Sequence, residues 1–486
     1  MGEWVRDHPT RVGAIVAAIV LVICAAVLVP ILMIDIGLPH QTVYRPPLPS
    51  PTVEPGEYPD GRGLFDDSAQ ANPHSPPLSE PFRYGTDRIR GVNLGGWLVI
   101  EPFITPSLFD QFSPAEGVVD EWGLCTKLGP EEARRQLEKH YASFITEDDF
   151  RRIAAMGLNH VRIPIGYWAV LVDSSEPYVS RLSWDYLLKG IQWARKYGLR
   201  VMVELHSAPG SQNGWNHSGK SGQIGWLNGT LGDENAKRTL EIIKDMVRYF
   251  NKPEWAHVIP VLGVLNEPAI FRLDKDRVKA WYRESYDAIR QITGHGNGPY
   301  LTYHEGFLGM PAWAGFFTKY DRVILETHTY LIFDHGLVSM PREKQAMFPC
   351  GSWRQDLRNS MASIAPTMVG EFSLATNDCG KYLNGVGLGT RYEGTLVENG
   401  ETSPAVCPGC NCTALEDWKT WTEDYKSFLR QFIERQMDAF EAGLGWFFWT
   451  YKTEDHANPH WDYLLGWEQG WVPHDANDRK YSCNPI

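Results

Sequence analysis

The chain has 486 residues, of which 43% are hydrophobic and 22% are charged, an ordinary composition for a globular protein. Its formal net charge of −13 argues against a nucleic-acid partner, because such proteins carry basic surfaces that contact phosphates. The chain also contains 19 Trp, 21 Tyr and 20 Phe; most of these rings are expected in the core, and some are expected to stack on flat, partly apolar ligands.

An uncharged apolar run occupies residues 12–34. It is longer than the about 20 residues that a helix needs to cross a bilayer, whereas the apolar region of a cleaved signal peptide, the alternative, spans only about 7–15 residues. Arg6 and Arg11 precede the run and Asp35 follows it, which favours a cytoplasmic tail over residues 1–11. We therefore predict a single-pass type II membrane protein with residues 12–34 as the signal anchor and the bulk of the chain outside the cell.

Residues 35–82 are predicted to be a linker, because proline, Ser, Glu, Asp and Gly dominate them and favour extended, mobile conformations. From residue 83 to residue 486, short apolar runs alternate with amphipathic ones. The predicted strands are 89–98, 160–165, 200–205, 259–265, 300–304, 323–327, 367–372 and 445–450. The predicted helices are 147–157, 184–197, 234–250, 277–293, 352–364 and 421–442.

Strands that alternate with helices imply parallel pairing, and eight such units predict an α/β fold with a closed (β/α)8 TIM barrel. The predicted domain is longer than the about 250 residues of a plain barrel. The excess lies in loops after strand ends, at 101–145, 206–232, 328–351, 373–418 and 451–486. Long loops on the catalytic face would build a deep pocket.

Two predicted strands end in a carboxylate: Glu267 follows the apolar run 261–265, and Glu371 lies in the run 366–372. Barrels of this kind carry their chemistry at the C-terminal ends of the strands. A pair of carboxylates there suits glycoside hydrolysis, in which one protonates the leaving oxygen and the other attacks or activates water. For either residue alone, the alternative is a Glu that caps the next helix or pairs with an Arg.

Other strand ends carry side chains that suit the same site. Arg162 lies in a buried run and needs an acidic partner, either in a structural salt bridge or as the group that keeps a catalytic carboxylate ionised. His206 could bond a sugar hydroxyl or be structural, and Trp449 could be the floor of a sugar site or part of the core. His328 and Tyr330 point the same way on an extended segment, since side chains alternate along a strand.

The region from about residue 89 to the C-terminus resembles the fungal exo-β-1,3-glucanases (glucan 1,3-β-glucosidases) of glycoside hydrolase family 5. The matching motifs, in chain order, are RGVNLGGWLVIEP (90–102), TPSLF (105–109), VRIPIGYW (161–168), the segment 205–214, NEP (266–268), HTY (328–330), GEF (370–372), RYEG (391–394), FW (448–449) and KTE (452–454).

The resemblance implies that Glu267 is the acid/base and Glu371 the nucleophile of a retaining mechanism, with the two carboxyl groups about 5–5.5 Å apart. It implies that Glu267 is protonated while Glu371 is ionised, a division that unequal environments must maintain. It assigns sugar binding to Glu101, Arg162, His206, Asn266, His328, Tyr330 and Trp449, and it places Trp215 and Phe333 as an aromatic pair around the next sugar. No metal or organic cofactor is implied.

The sequence departs from the family pattern at three places. The family usually has Phe where this chain has Trp215, and Asn216-His217 replaces an acidic and amide pair. Glu326-Thr327 before His328 is also a departure. The changes at Trp215 and at Asn216-His217 concern contacts with the sugar on the far side of the cleaved bond. They therefore bear on which glucan linkage the enzyme prefers.

Eight cysteines are present, and Cys24 lies in the apolar run. Cys407, Cys410 and Cys412 have a spacing that can suggest zinc, but no second cluster accompanies them, and disulfides are the expected use in an exported chain. The family pattern implies Cys350 with Cys483, and Cys379 with Cys407, Cys410 or Cys412; it leaves Cys125 unassigned. Three sequons begin at Asn216, Asn228 and Asn411, and a glycan on Asn216 would block the pocket mouth.

The sequence thus predicts a monomeric, membrane-anchored extracellular glycosidase that removes glucose from the non-reducing end of β-1,3-glucan in the cell wall. Alternatives within the enzyme class are β-1,6-glucan, β-1,4-glucan or a glucosyl lipid as substrate. The alternative from another class is an inactive barrel that binds the wall, which would have no need of Glu267, Glu371 and Asn266 together.

Overall fold

The computed structural model describes residues 63, 65–398, 400–413 and 415–484. The predicted cytoplasmic tail, the predicted anchor at 12–34 and most of the predicted linker lie outside the described residues. Within the part of the chain that is described, no helix has both the length and the hydropathy needed to cross a bilayer.

Eight parallel strands close into a barrel, and each strand pairs with its neighbours in chain order. The strands are β1 (Ile89–Asn93), β2 (His160–Gly166), β3 (Arg200–Ser207), β4 (Val261–Gly263), β5 (Tyr300–His304), β6 (Val323–Thr329), β7 (Thr367–Phe372) and, after the short hairpin β8 (Val397–Glu398) and β9 (Glu401–Thr402), β10 (Gly445–Phe448). Strand β10 pairs with both β7 and β1, which closes the barrel. The predicted (β/α)8 architecture is confirmed.

The helices surround the barrel and connect its strands. They are α1 (Ser107–Asp110), α2 (Glu121–Leu128), α3 (Pro130–Ser143), α4 (Glu147–Ala155), α5 (Leu182–Lys196), α6 (Gly232–Phe250), α7 (Lys275–Thr293), α8 (His335–Val338), α9 (Arg342–Phe348), α10 (Arg354–Ser363), α11 (Glu423–Phe440) and α12 (Tyr463–Gln469). The prediction of a loop at 101–145 is wrong where α2 and α3 form. The Asp120 carboxylate caps α2 by accepting a bond from Gly123 N, and Pro130 starts α3 at a position where no backbone donor is needed.

Strand β4 is shorter than predicted and ends at Gly263, so that Glu267 lies beyond the ladder. The backbone of Glu267 has φ 43°, a left-handed conformation that is uncommon for a residue with a side chain and that must be held by its surroundings. Asn266 N still bonds Leu205 O on β3, which fixes the chain just before this turn.

Residues 65–82, which the sequence assigns to the linker, pack on the N-terminal face of the barrel. The buried Arg200 guanidinium at the start of β3 donates to the carbonyls of Pro76, Pro77 and Glu80 at 2.9–3.1 Å. Phe82 joins an apolar cluster at the N-terminal ends of the strands that includes Met202 and Phe447. The packed part of the chain therefore extends N-terminal to residue 83.

Among the described residues, three disulfides fix the periphery. The predicted Cys350–Cys483 bond is confirmed, and Cys379 pairs with Cys412, one of the three partners left open. Cys407 bonds Cys410, so these cysteines are used as disulfides rather than as zinc ligands. The Cys125 thiol is free and buried.

Candidate active site

A cavity of about 850 Å³ opens at the C-terminal ends of the barrel strands. Nine of the residues predicted for the site line it: Glu101, His206, Trp215, Glu267, His328, Tyr330, Phe333, Glu371 and Trp449. The other two, Arg162 and Asn266, lie directly behind the lining and bond to residues that face the cavity. Asn216 also lines it, as expected of the mouth, whereas Asn228 and Asn411 are exposed and suit glycan attachment.

Glu371, on β7, receives hydrogen bonds on both carboxylate oxygens. Arg162 donates to Oε1 at 2.8 Å, and the Tyr330 phenol donates to Oε2 at 2.8 Å. Burial raises the pKa of Glu371, and the positive charges of His328 and Arg162 oppose that rise. The carboxylate is thus fixed in orientation, with its oxygens aimed by two donors.

Arg162 is fully buried on β2 and is shared among several acceptors. Its terminal nitrogens donate to Asn93 Oδ1 and Asn266 Oδ1, each at 2.8 Å. Glu204 and Glu326 lie 3.1 and 3.3 Å from the same guanidinium. The sequence prediction that Arg162 needs an acidic partner is confirmed, and its partners form a structural network that also includes Glu371.

The backbone around Glu267 is clamped by the loop after β3. The Gln212 side chain donates to the carbonyls of His206 and Asn266, and the Asn213 side chain donates to the Glu267 carbonyl at 3.1 Å. These bonds hold the left-handed turn at Glu267 and direct its side chain into the cavity.

His328 lies between three carboxylates. Its Nδ1 is 2.6 Å from Glu267 Oε1 and 3.4 Å from Glu371 Oε2, and its Nε2 is 3.2 Å from Glu326 Oε1. Burial disfavours the charged ring, but Glu371, Glu267 and Glu326 outweigh burial and raise the pKa of His328 to about 10. Burial alone would raise the pKa of Glu267, yet the hydrogen bond and the charge of His328 hold it below the ordinary value. In the free protein these directions favour the proton on His328 over Glu267, and the lowered pKa of Glu267 beside the raised pKa of Glu371 is the reverse of the expected division.

His206 is held as a neutral ring. Its Nδ1 is 2.9 Å from Glu204 Oε2, and its Nε2 is 3.4 Å from the Asn266 amide nitrogen, an arrangement in which Nδ1 donates and Nε2 accepts. Burial lowers the pKa of His206 to about 3. The ring stacks on Trp449 at a centroid distance of 5.5 Å and so fixes the orientation of the indole, which lines the cavity.

Glu101 lines the cavity and is almost fully buried. Its Oε1 has no hydrogen-bond partner among the described residues. Burial, followed by the charges of Glu371 and Glu267, raises the pKa of Glu101 well above its ordinary value. A buried carboxyl oxygen without a partner in a cavity is available to a ligand hydroxyl.

Several site residues were missed by the sequence analysis: Asn93, Glu204, His217, Thr302, His304 and Glu326. Glu204 and Glu326 each precede a predicted site histidine by two positions on a strand, and the alternation of side chains was a signal that both members of each pair share a face. His217 Nε2 lies 3.4 Å from Glu267 Oε2, although the residue comes from a loop and no strand pattern marks it. The Thr302 hydroxyl donates to Glu326 Oε2 at 2.7 Å.

Ligand atoms of Glu267, His304 and His328 lie within 4.8 Å of one another, a spacing that can hold a metal ion. However, His328 Nδ1 and Glu267 Oε1 are already joined by the 2.6 Å hydrogen bond, and a protonated imidazole offers no lone pair to a metal. The geometry fits a hydrogen-bonded acid–base cluster better than a metal site.

Comparisons with known proteins agree with this geometry. A family model described as Cellulase (glycosyl hydrolase family 5) matches residues 123–386. Curated relatives described as probable glucan 1,3-beta-glucosidase D are 45% identical over 430 residues in Aspergillus terreus and 44% identical over 428 residues in Aspergillus fumigatus. Each alignment covers 86% of this chain and 50–51% of the relative, so the chain spans about half the length of the curated relatives it matches.

Among solved structures, a rutinosidase from Aspergillus niger superposes with a TM-score of 0.62 at 20% identity, covering 81% of this chain and 99% of that one. This likeness shows a common fold. The family model covers more than half of the chain and includes the acid at the end of β4 and the acid on β7. The chain belongs to glycoside hydrolase family 5.

Proposed function

We propose that this protein is a retaining exo-β-1,3-glucosidase that releases glucose from the non-reducing end of β-1,3-glucan. The observation that carries the proposal is the convergence of Glu267 and Glu371 on one side chain, His328, inside a cavity at the C-terminal ends of the barrel strands. The relatives described as glucan 1,3-beta-glucosidases support glucan as the substrate.

The spacing of the two acids supports retention. One nitrogen lies 2.6 Å from Glu267 Oε1 and 3.4 Å from Glu371 Oε2, so these two oxygens are closer together than the about 6.5–9.5 Å that separates the carboxyl groups of inverting enzymes. This spacing suits a mechanism in which Glu371 attacks the anomeric carbon directly.

In the first step Glu371 attacks the anomeric carbon while the leaving oxygen takes a proton from Glu267. The proton initially lies on His328, because the negative charge of Glu371 is the largest influence that favours the imidazolium. When Glu371 forms its bond to carbon it loses that charge, and the proton can pass along the 2.6 Å contact to Glu267. In the second step Glu267 takes a proton from water while the water oxygen attacks the anomeric carbon; the bond from that carbon to Glu371 breaks, and Glu371 leaves as a carboxylate.

Glu101 and Trp449 support exo action. Glu101 lines the cavity with a buried oxygen that has no partner among the described residues and can bind a hydroxyl of the terminal glucose, and Trp449 offers an aromatic face suited to one sugar ring. A chain end can enter such a site, whereas the middle of a polysaccharide needs an open cleft. We further propose that residues 12–34 anchor the enzyme in the plasma membrane, with the catalytic domain outside the cell and acting on wall glucan.

The test is the hydrolysis of laminarin by the full chain, with product anomers followed by NMR. Glucose alone, appearing first as the β-anomer, is the expected result. A ladder of oligosaccharides would contradict exo action, and first appearance of the α-anomer would contradict retention. Turnover of a β-1,6-glucan but not of laminarin would move the activity to that linkage.

The roles of the two acids are separable with azide and an aryl β-glucoside that has a good leaving group. With Glu371→Ala, azide enters on the face left open by the nucleophile and should give the α-glucosyl azide. With Glu267→Ala, the glucosyl enzyme still forms and azide should give the β-glucosyl azide. Glu284→Gln, on the exposed face of α7, is the control and should hydrolyse the substrate like the unchanged chain. The reverse stereochemistry would exchange the two assignments.

A further inference from the structure

The mouth of the cavity is unusually apolar. Among the described residues eight large apolar side chains are well exposed, and five of them line this one cavity, with exposed fractions of 38–57%: Phe271, Phe307, Phe333, Leu388 and Val397. Exposed apolar side chains that gather at a concave site mark a surface that a ligand covers.

The mouth has an aromatic part and an aliphatic part. Trp215, Phe307 and Phe271 form a row of edge-to-face contacts, with ring centroids 5.5 and 6.1 Å apart. The aliphatic part comes from the loop after β7, where Leu388 and Val397 are both more than half exposed. The Cys379–Cys412 disulfide closes that loop on itself, and both aliphatic side chains lie within the closed part.

A second glucose unit accounts for the aromatic part but not for the aliphatic part. Aromatic faces suit the apolar faces of sugar rings. Aliphatic side chains offer no acceptor or donor to the hydroxyls at the rim of a sugar, and a hydroxyl that loses water without gaining a partner is destabilised.

Polar side chains in the same part of the mouth are engaged within the protein. The Asn384 side chain donates to Asp378 Oδ2 and to the Gly389 carbonyl, and it accepts a bond from the Arg391 guanidinium at 3.1 Å. Asp334 Oδ1 accepts from Leu337 N and caps α8. These groups hold the loops in place, which leaves the aliphatic surface as the part that faces a ligand.

We propose that the cavity also takes β-glucosides whose aglycone is a hydrocarbon, with Leu388 and Val397 forming the surface on which the aglycone lies. This inference rests on the proposed function, because the glucosyl unit must occupy the site between Glu371 and Glu267. The reaction is the same hydrolysis: the bond from the anomeric carbon to the aglycone oxygen breaks, water supplies the new anomeric hydroxyl, and the alcohol leaves with the proton from Glu267.

The experiment compares n-alkyl β-glucosides from methyl to octyl, below their micelle concentrations, as substrates for the full chain. Full burial of one methylene strengthens binding about fourfold. For a half-open mouth we expect kcat/KM to rise at least about tenfold over the series. A flat series would overturn the inference.

Two matched variants locate the effect. Leu388→Gln, which places a polar side chain of similar size on the aliphatic surface, should flatten the rise with chain length. Leu231→Gln changes an equally exposed leucine outside the cavity, at 64% exposure, and should keep the rise of the unchanged chain. Equal slopes for the two variants would overturn the inference, since the surface would then not bind the aglycone.

Laminaribiose hydrolysis, measured in parallel, separates the inference from the proposed function. Hydrolysis of laminaribiose with a flat alkyl series would refute the hydrocarbon surface alone. Release of glucose from neither laminaribiose nor any alkyl glucoside would refute both.

Discussion

His328 connects the two catalytic acids electrostatically. Its ring contacts Glu267 and Glu371 on one side and Glu326 on the other, and it is fully buried. A buried imidazolium is stable only because these carboxylates surround it. Its pKa of about 10 in the folded chain, against 6.5 ordinarily, means that this ion contributes stability below pH 6.5 that is lost as the pH rises through about 10.

The first prediction concerns Glu326→Gln. This change removes a negative charge 3.2 Å from His328 Nε2. Because an anion favours the imidazolium, its removal lowers the pKa of His328, and the alkaline limb of the kcat/KM profile should move to lower pH by about 1 unit or more. The measurement is kcat/KM against pH with an aryl β-glucoside.

Thr302→Val is the control for Glu326→Gln. It removes the hydroxyl that donates to Glu326 Oε2 but keeps the side-chain size and the charge of the network. We expect a much smaller shift of the alkaline limb. An unmoved limb in Glu326→Gln, or one that moves to higher pH, would show that the proton used in catalysis does not lie on His328.

The residues that share the catalytic site were only partly predictable. Glu267 and Glu371 follow from strand-end carboxylates, and Arg162 follows from the need to pair a buried charge. The protonation state of Glu267 did not follow from the sequence, because it depends on the contact with His328 from a strand two positions away in the barrel. For His217 the sequence shows only that the residue differs from the family pattern. Its approach to Glu267 depends on the conformation of a loop.

At the scale of elements, the eight strands were predictable because each buried parallel strand is a continuous apolar run. Helices α2 and α3, like α8, α9 and α12, lie in segments that the sequence predicts to be loops, although Asp120 and Pro130 are recognisable start signals for α2 and α3. The packing of residues 65–82 was also missed. Its proline-rich composition indicates mobility, whereas its backbone carbonyls are used to solvate the buried Arg200.

The second prediction compares chains that begin at residue 65 and at residue 83. The shorter chain leaves the Arg200 guanidinium without the carbonyls of Pro76, Pro77 and Glu80, and it removes the buried Leu78 side chain. Loss of partners for a buried charge should lower the free energy of unfolding by about 3 kcal/mol or more. Urea unfolding measures this difference, and equal midpoints for the two chains would mean that the segment adds no stability.

At the scale of the whole molecule, the two faces of the barrel have different tasks. The N-terminal face is closed by residues 65–82 and by the apolar cluster around Phe82. The C-terminal face carries the cavity, and its long loops supply the mouth. In TIM-barrel enzymes the chemistry lies on the C-terminal face, and the opposite face contributes to stability. The described chain therefore enters this domain on the face opposite the active site.

The third prediction follows from these opposite faces. Because residues 65–82 run over the face away from the cavity, immobilisation of the chain on beads through its N-terminus should leave the mouth open and the turnover of laminarin intact. Immobilisation through Leu388→Cys, an exposed position at the mouth, should suppress laminarin turnover much more than turnover of methyl β-glucoside, because only the polymer needs a wide approach. Both chains carry Cys24→Ser, and Cys125 is buried and unreactive, so that coupling is confined to the chosen site. Equal losses on laminarin for the two attachments would show that the tether and the cavity share a face, and the orientation proposed for an enzyme anchored through its N-terminus would then be wrong.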